Sequence, residues 1–218
     1  MSEQVVYLPH TYQSNLYELE NNEPCIDTAV HNGGDDGRGY MATTYPLTRR
    51  SDYGLPDAAI MCCNFNAISK YEPVAFFAWI WILRQVSTSS QDGETIMDTL
   101  RSEALAHGIH PSRILFAARD AKSRHLVRLT LDGIFLDSFV YNAHSTASDA
   151  FWTHFPVVIF WGDTFPTRVA ASLIHNALLF REVILYPMKG YENLTVTLTQ
   201  DSVLVRRIRH ELAPQALA

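Results

Sequence analysis

The stretch "GIFLDSFVYNAHSTASDAFWTHFPVVIFW", Gly133 to Trp161, decides the fold. It holds a short apolar run, a segment opened by small hydroxyl residues and long enough for a helix, and a second apolar run, "VVIFW" (Val157 to Trp161). Two such runs flanking a helix form a β-α-β unit, whose parallel strands are covered on both faces. The alternation extends in both directions. Upstream, "AAIMCC" (Ala58 to Cys63) and "RILFAA" (Arg113 to Ala118) read as strands. Between them, "EPVAFFAWIWILRQV" is a helix with Pro73 near its start, and "GETIMDTLRSEALAHG" an amphipathic helix closed by Gly108. "KSRHLVRLTL" is a helix ended by Asp132 and Gly133. Downstream, "PTRVAASLIHNALLF" is another helix, and the chain past "EVILY" is helical, with "DSVLVRRIRHEL" its last segment. The fold class is therefore α/β, a Rossmann-like parallel sheet flanked by helices.

The first fifty or so residues differ. They are rich in Gly, Asp, Asn and turn pairs and show no sustained period, so residues 1–54 read as irregular and 55–218 as the folded domain. The chain of 218 residues is 47% hydrophobic, enough to bury a sizeable core. A formal charge of −6 argues against a nucleic-acid-binding face. The most apolar window, "PVAFFAWIWIL" (Pro73 to Leu83), falls well short of the ~20 residues that span a bilayer. Cys25, Cys62 and Cys63 suggest neither a disulfide framework nor a zinc site, and they fit a reducing, intracellular setting.

In parallel sheets, ligands sit beyond the carboxyl ends of the strands. That rule selects the loops after Cys63, Ala118, Phe139 and Trp161. They carry Lys70, then Lys122 and His125, then "YNAHSTASD", then Arg168. Cations and a hydroxyl-rich helix start on one rim suit a diphosphate, because a helix N-terminus offers unpaired amides and a partial positive charge. His144, Ser145 and Thr146 supply further donors; Asp149, one turn on, can take ribose hydroxyls; His125 can stack on a base. Plainer readings stand beside these. Ser and Thr at a helix start are ordinary caps; His125 fits the surface of an amphipathic helix; Lys70 fits a solvated lysine; Arg168 can simply pair with Asp163. No Walker-type loop and no G-x-G-x-x-G is present.

The segments "YLPHTY", "TTYPLTRRSDYGLPDAAIMCCNFNAISKYEP", "GIHPSRILF", "AKSRHLVR", "FLDSFVYNAHSTASDAFW" and "DTFPTRVAAS" stand here in a meaningful order. Together the chain resembles the C-terminal catalytic half of the eukaryotic protein O-GlcNAc transferases, with plant SPINDLY-type proteins as more distant relatives. The resemblance implies the C-terminal half of a GT-B fold and inverting, metal-independent transfer of N-acetylglucosamine from UDP-GlcNAc to Ser or Thr of intracellular proteins. It implies no cofactor, a cytoplasmic or nuclear location, and no nucleic-acid or membrane partner. Carried onto this sequence, Lys70 is the catalytic residue that meets the diphosphate and stabilises the UDP leaving group. The backbone around Asp120 and Ala121 reads uracil, Lys122 touches ribose and His125 stacks on the uracil ring. His144, Ser145 and Thr146 cradle the diphosphate, Asp149 binds ribose hydroxyls, and Ala67 stands at a further donor-phosphate position.

Departures from the family pattern qualify what is expected. Ala67 replaces a usual Gln, Ala143 a usual Gly and Ala121 a usual Pro, and "STSSQDGET" stands where the family has an apolar strand. Residues 1–54 read as a remnant of the preceding catalytic half, "YLPHTY" with His10, plus linker. The acceptor-side half and its tetratricopeptide repeats are expected as a missing partner, without which this chain has little or no activity. The departures also support an alternative, a UDP-sugar-binding or scaffold module that has lost the chemistry, and a third reading is an unrelated Rossmann-like enzyme using another nucleotide.

Overall fold

Four apolar runs pair side by side into a parallel sheet in the computed structural model of the protein, which describes residues 49–55, 60–86, 96–118, 120–131, 133–177 and 181–212. The strands are β1 (Met61–Cys63), β2 (Gly133–Leu136), β3 (Val157–Phe160) and β4 (Ile184–Leu185), adjacent in chain order. Cys62 lies opposite Ile134, Phe135 opposite Val157 and Ile159 opposite Ile184. Every residue of β2 is buried, as are Val157, Val158 and Ile159 of β3. Helices on the faces leave no position to be polar, hence the unbroken apolar runs.

The connections are helical. Between β1 and β2 come α1 (Pro73–Gln85), α2 (Ile96–Ala106) and α3 (Lys122–Leu129). Helix α4 (Ser145–Trp152) joins β2 to β3, and α5 (Val169–Ala177) joins β3 to β4. Helices α6 (Met188–Gln200) and α7 (Ser202–Leu212) follow. Local chemistry sets these boundaries. Glu72 caps α1 by accepting the Ala75 amide at 3.0 Å, and Pro73 takes the first helical position, where its missing N–H costs nothing. Beyond α2, Gly108 sits at φ +79, a left-handed conformation that stops the helix and lets the Ile109 amide turn back to the Ala104 carbonyl. The core gathers β2 and β3 with α1, α4, α5, α6 and α7. At its centre is Tyr191, fully buried on α6. Its hydroxyl accepts from the Trp79 indole of α1 at 3.1 Å and donates to the Asp137 carbonyl just past β2 at 3.3 Å.

Three expectations need correction. The run "RILFAA" is not a strand: Arg113 closes a 3-10 turn, Pro111–Arg113, and residues 114–118 join no ladder. A strand needs a neighbour about 4.8 Å away, and among the described residues β1 pairs only with β2. A cavity of about 700 Å³ includes both β1 and residues 114–118 in its lining. The run "GIFLDSF" is a strand only to Leu136, because the Asp137 carboxylate takes up the Ser138 amide. The helix "KSRHLVRLTL" ends at Leu129, and Gly133 opens β2 instead of closing the helix. Expectations for Ala58, for the first 48 residues and for "STSSQDGET" lie outside the described residues.

Gly133 is there for space. A Cβ at this position would lie 2.9 Å from the Met61 carbonyl oxygen of β1 and 3.0 Å from the Phe155 ring, which is buried in the core. Gly133→Ala is expected to lower stability by about 1–3 kcal/mol through overpacking. Urea denaturation checks this, and an unchanged midpoint contradicts it.

Candidate functional site

The loop between β2 and α4 is built around one carboxylate. Asp137 is fully buried, and its Oδ1 accepts the Ser138 amide at 2.8 Å, the Ala143 amide at 2.7 Å and the Asn66 side-chain amide at 3.1 Å. Asn142, also fully buried, donates its side-chain amide to the Ser138 carbonyl at 2.7 Å and its backbone amide to the Pro166 carbonyl at 2.9 Å. Glu72 receives the Phe139 amide on the carboxylate oxygen that does not cap α1. Burial pushes the Asp137 carboxyl up to about 7, opposed by these hydrogen bonds and by the Lys70 ammonium. With the native value raised, ionising Asp137 weakens the fold as pH rises toward 7.

The loop delivers the chain to α4 with His144 at the N-cap, and the His144 side chain makes no cap hydrogen bond. Ser145 and Thr146 are already inside the helix, so neither serves as its N-cap. The first-turn amides therefore keep the donor capacity that helix starts carry.

Lys70 meets this helix opening from the β1 side. It ends the 3-10 turn Ile68–Lys70 that follows β1, a turn closed by the Lys70 amide on the Ala67 carbonyl at 2.9 Å. Its Nζ donates to the Asn142 carbonyl at 2.9 Å and stands 4.2 Å from the centre of the Tyr141 ring. The Tyr141 ring in turn stacks on His144, with centroids 4.7 Å apart. Partial burial lowers the Lys70 pKa, and Asp137 opposes that shift. His144 is lowered by burial and then by Lys70, which holds its ring neutral near pH 7.

The second part of the rim lies at the start of α3. Ala121 is the N-cap residue, with its amide on the Asp120 carboxylate at 2.8 Å. Asp120 also pairs with Arg124 at 2.8 Å. Lys122 pairs with Asp149 at 3.3 Å, joining α3 to the helix that carries Ser145 and Thr146. Half-buried His125 meets Phe65 edge-on at 5.2 Å and the Arg128 guanidinium through Nδ1 at 3.0 Å. Burial first, and Arg128 second, lower its pKa.

The residues singled out from sequence thus occupy two connected clusters. Lys70, on the turn that Ala67 opens, rests on the loop that leads to His144, Ser145 and Thr146 at the start of α4; Asp120, Ala121, Lys122 and His125 gather at the start of α3, with Asp149 linking the two. Arg168 stands apart on the loop after β3, donating to the Gly162 carbonyl at 2.7 Å and pairing with Asp163 at 3.8 Å. Sequence reading passed over Asp137, Asn66, Tyr141 and Asn142. One signal was available for Asp137: a carboxylate directly after the apolar run "GIFL", where burial without partners is costly. The arrangement gathers an ammonium group, an uncapped helix start and neutral imidazoles along one strand-end rim, a setting for an anionic ligand with a ring at one end.

Comparison with known proteins places the chain in a family. Over residues 9–216 the chain matches the model of glycosyl transferase family 41. It is 29% identical over 223 aligned positions, 99% of its length, to the "probable UDP-N-acetylglucosamine–peptide N-acetylglucosaminyltransferase SEC" of Arabidopsis thaliana. It is 34% identical over 72% of its length to the "UDP-N-acetylglucosamine–peptide N-acetylglucosaminyltransferase" of Caenorhabditis elegans. The matched regions span only 21% and 14% of those two relatives. A solved mutant O-GlcNAc transferase from Thermobaculum terrenum superposes with a TM-score of 0.65 at 22% identity, covering 73% of this chain and 32% of that one, a likeness of fold. The chain belongs to glycosyl transferase family 41.

Proposed function

We propose that this chain is the donor-binding half of a transferase that moves N-acetylglucosamine from UDP-GlcNAc to Ser or Thr of proteins. The observation that carries the reading is the Lys70 ammonium held on the Asn142 carbonyl at the opening of α4. Cleaving the bond between the anomeric carbon and UDP builds negative charge on the β-phosphate. An ammonium and a helix N-terminus fixed beforehand stabilise that charge without waiting for solvent to reorganise. In this reading Lys70, Ser145, Thr146 and the α4 amides take the diphosphate, with Ala67 beside them and His144 at the entrance. Asp149 and Lys122 exchange their mutual ion pair for ribose hydroxyls, the backbone at Asp120 and Ala121 reads the uracil edge, and His125 stacks on the ring. Neutral His125 suits stacking, because a charged imidazolium costs more to bury. No metal ion enters the scheme. The acceptor side comes from the rest of a longer polypeptide, in keeping with the small share of each relative that this chain spans. The resemblance also supports a cytoplasmic or nuclear setting, and no described helix is long and apolar enough to cross a membrane.

A second reading, a module that keeps the fold without the chemistry, draws on Ala67 and on residues 114–118, which join no strand ladder. Nucleotide binding separates the two. Isothermal titration with UDP in the presence of EDTA is expected to give a dissociation constant in the micromolar range, with GDP, NAD and ATP binding far more weakly. Lys70→Ala is expected to weaken UDP by about tenfold or more, the scale of one charge-assisted contact at ~1.5–3 kcal/mol. Absence of binding at millimolar UDP sinks the donor-site reading.

The α3 cluster yields an independent expectation. His125→Ala should weaken UDP by about 1–3 kcal/mol, the scale of one base–aromatic stack. It should leave the much weaker affinity for inorganic pyrophosphate unchanged. An equal loss for both ligands argues against His125 as the base platform.

A further inference from the structure

Ser138 through Ala143 leave the sheet and return to α4 as a six-residue loop, and both ends of that loop hang on one atom. Asp137 Oδ1 accepts the amide at the start, Ser138, at 2.8 Å and the amide at the end, Ala143, at 2.7 Å. Asn66, from the loop after β1, donates to the same oxygen at 3.1 Å and to the Ser138 hydroxyl at 2.9 Å. We propose that Asp137 is a positioning residue: its buried carboxylate clasps the Ser138–Ala143 loop shut, and so fixes both the start of α4 and the Asn142 carbonyl on which Lys70 rests.

Three features carry the inference. The carboxylate cannot reach the ligand side itself, because it is fully buried. It nevertheless joins the two loops that meet at the opening of α4, since Asn66 and Lys70 come from the β1 loop while Ala143 and Asn142 come from the β2 loop. Its charge also bears on Lys70, whose ammonium form it favours against the effect of burial. The other ionisable groups near it are the Tyr191 hydroxyl, which donates to the Asp137 backbone carbonyl, and Glu72, which holds the Phe139 amide. Neither of these takes part in the clasp. A buried carboxylate with three donors on one oxygen is costly to keep, and a purely structural turn is as well closed by a neutral side chain.

The inference rests on the donor-site reading, and the test separates the two. Two variants divide clasp from charge: Asp137→Asn keeps an acceptor oxygen in the same shape, and Asp137→Ala removes it. Amide hydrogen exchange and the side-chain NMR titration of Lys70 are read on the full chain without nucleotide, and UDP affinity by calorimetry. The clasp predicts a strongly protected Ala143 amide in the wild type and in Asp137→Asn, with protection lost in Asp137→Ala. It predicts that Lys70 titrates at lower pH in both variants. UDP affinity should fall at least about tenfold in Asp137→Ala and much less in Asp137→Asn. A folded Asp137→Ala that binds UDP as tightly as wild type overturns the proposal. So does an Ala143 amide that exchanges in the wild type like an open-loop amide. Should Asp137→Ala fail to fold, the wild type and Asp137→Asn decide: an unmoved Lys70 titration overturns the proposal, and a lowered one with Ala143 protected supports it. Wild type that binds no UDP, yet shows a protected Ala143 and a responsive Lys70, refutes the donor reading and leaves the clasp standing.

Discussion

A single buried carboxylate sets the terms for the rest of this molecule. Taking Asp137 out of water is unfavourable by itself, and the surroundings offset the cost by converging backbone and side-chain donors on one of its oxygens. That convergence ends β2 at Leu136, closes the following loop and delivers the chain to α4. The orientation of the helix start and the resting place of Lys70 both follow from it. Remove the carboxylate and the sheet is still expected to pair, because its cohesion is apolar; the strand-end loops are what lose their reference point.

The division of labour is clear in the geometry. Apolar burial in β2, β3 and the surrounding helices holds the sheet, and short polar links on the carboxyl side aim the functional groups. Lys70 is partly shielded from solvent, so it interacts more strongly with nearby charge than a fully solvated lysine would. It rests on a carbonyl and a tyrosine face, with a neutral imidazole nearby, and the carboxylate that acts on it, Asp137, is buried and does not pair with it as a surface carboxylate would. Lys122 and Asp149 do the opposite and satisfy each other. The two clusters therefore rest in different states, one with a cation turned toward a helix start and one closed by an ion pair.

Much of this architecture was legible in the residues. The runs "GIFL" and "VVIF" paired as read, since unbroken apolar runs fit only strands covered on both faces. Pro73 and Gly108 marked a helix start and a helix end through their own backbone restrictions. What escaped sequence reasoning depended on partners distant in the chain. "RILFAA" has strand-like composition, but composition cannot supply the neighbouring strand that would make it one. Ser145 and Thr146 resemble caps, yet the N-cap lies one residue earlier, at His144, and the helix itself begins at Ser145. Asn66 and Asp137 meet across about seventy residues of chain, and nothing in either local pattern announces that meeting. The ordered family motifs pointed to the rim, whereas the polar links beneath it arise only when the chain folds.

Tyr191 bears on how the chain can be divided. The four strands among the described residues precede Pro187, so a fragment ending there holds the whole of the described sheet. It would nonetheless leave the Trp79 indole and the Asp137 carbonyl facing a hole, because the ring that fills that space comes from α6. Strand count is thus a poor guide to where this polypeptide can be cut. For expression, fusion or fragment complementation, α6 belongs to the foundation of the module, and a piece that keeps this packing must carry it.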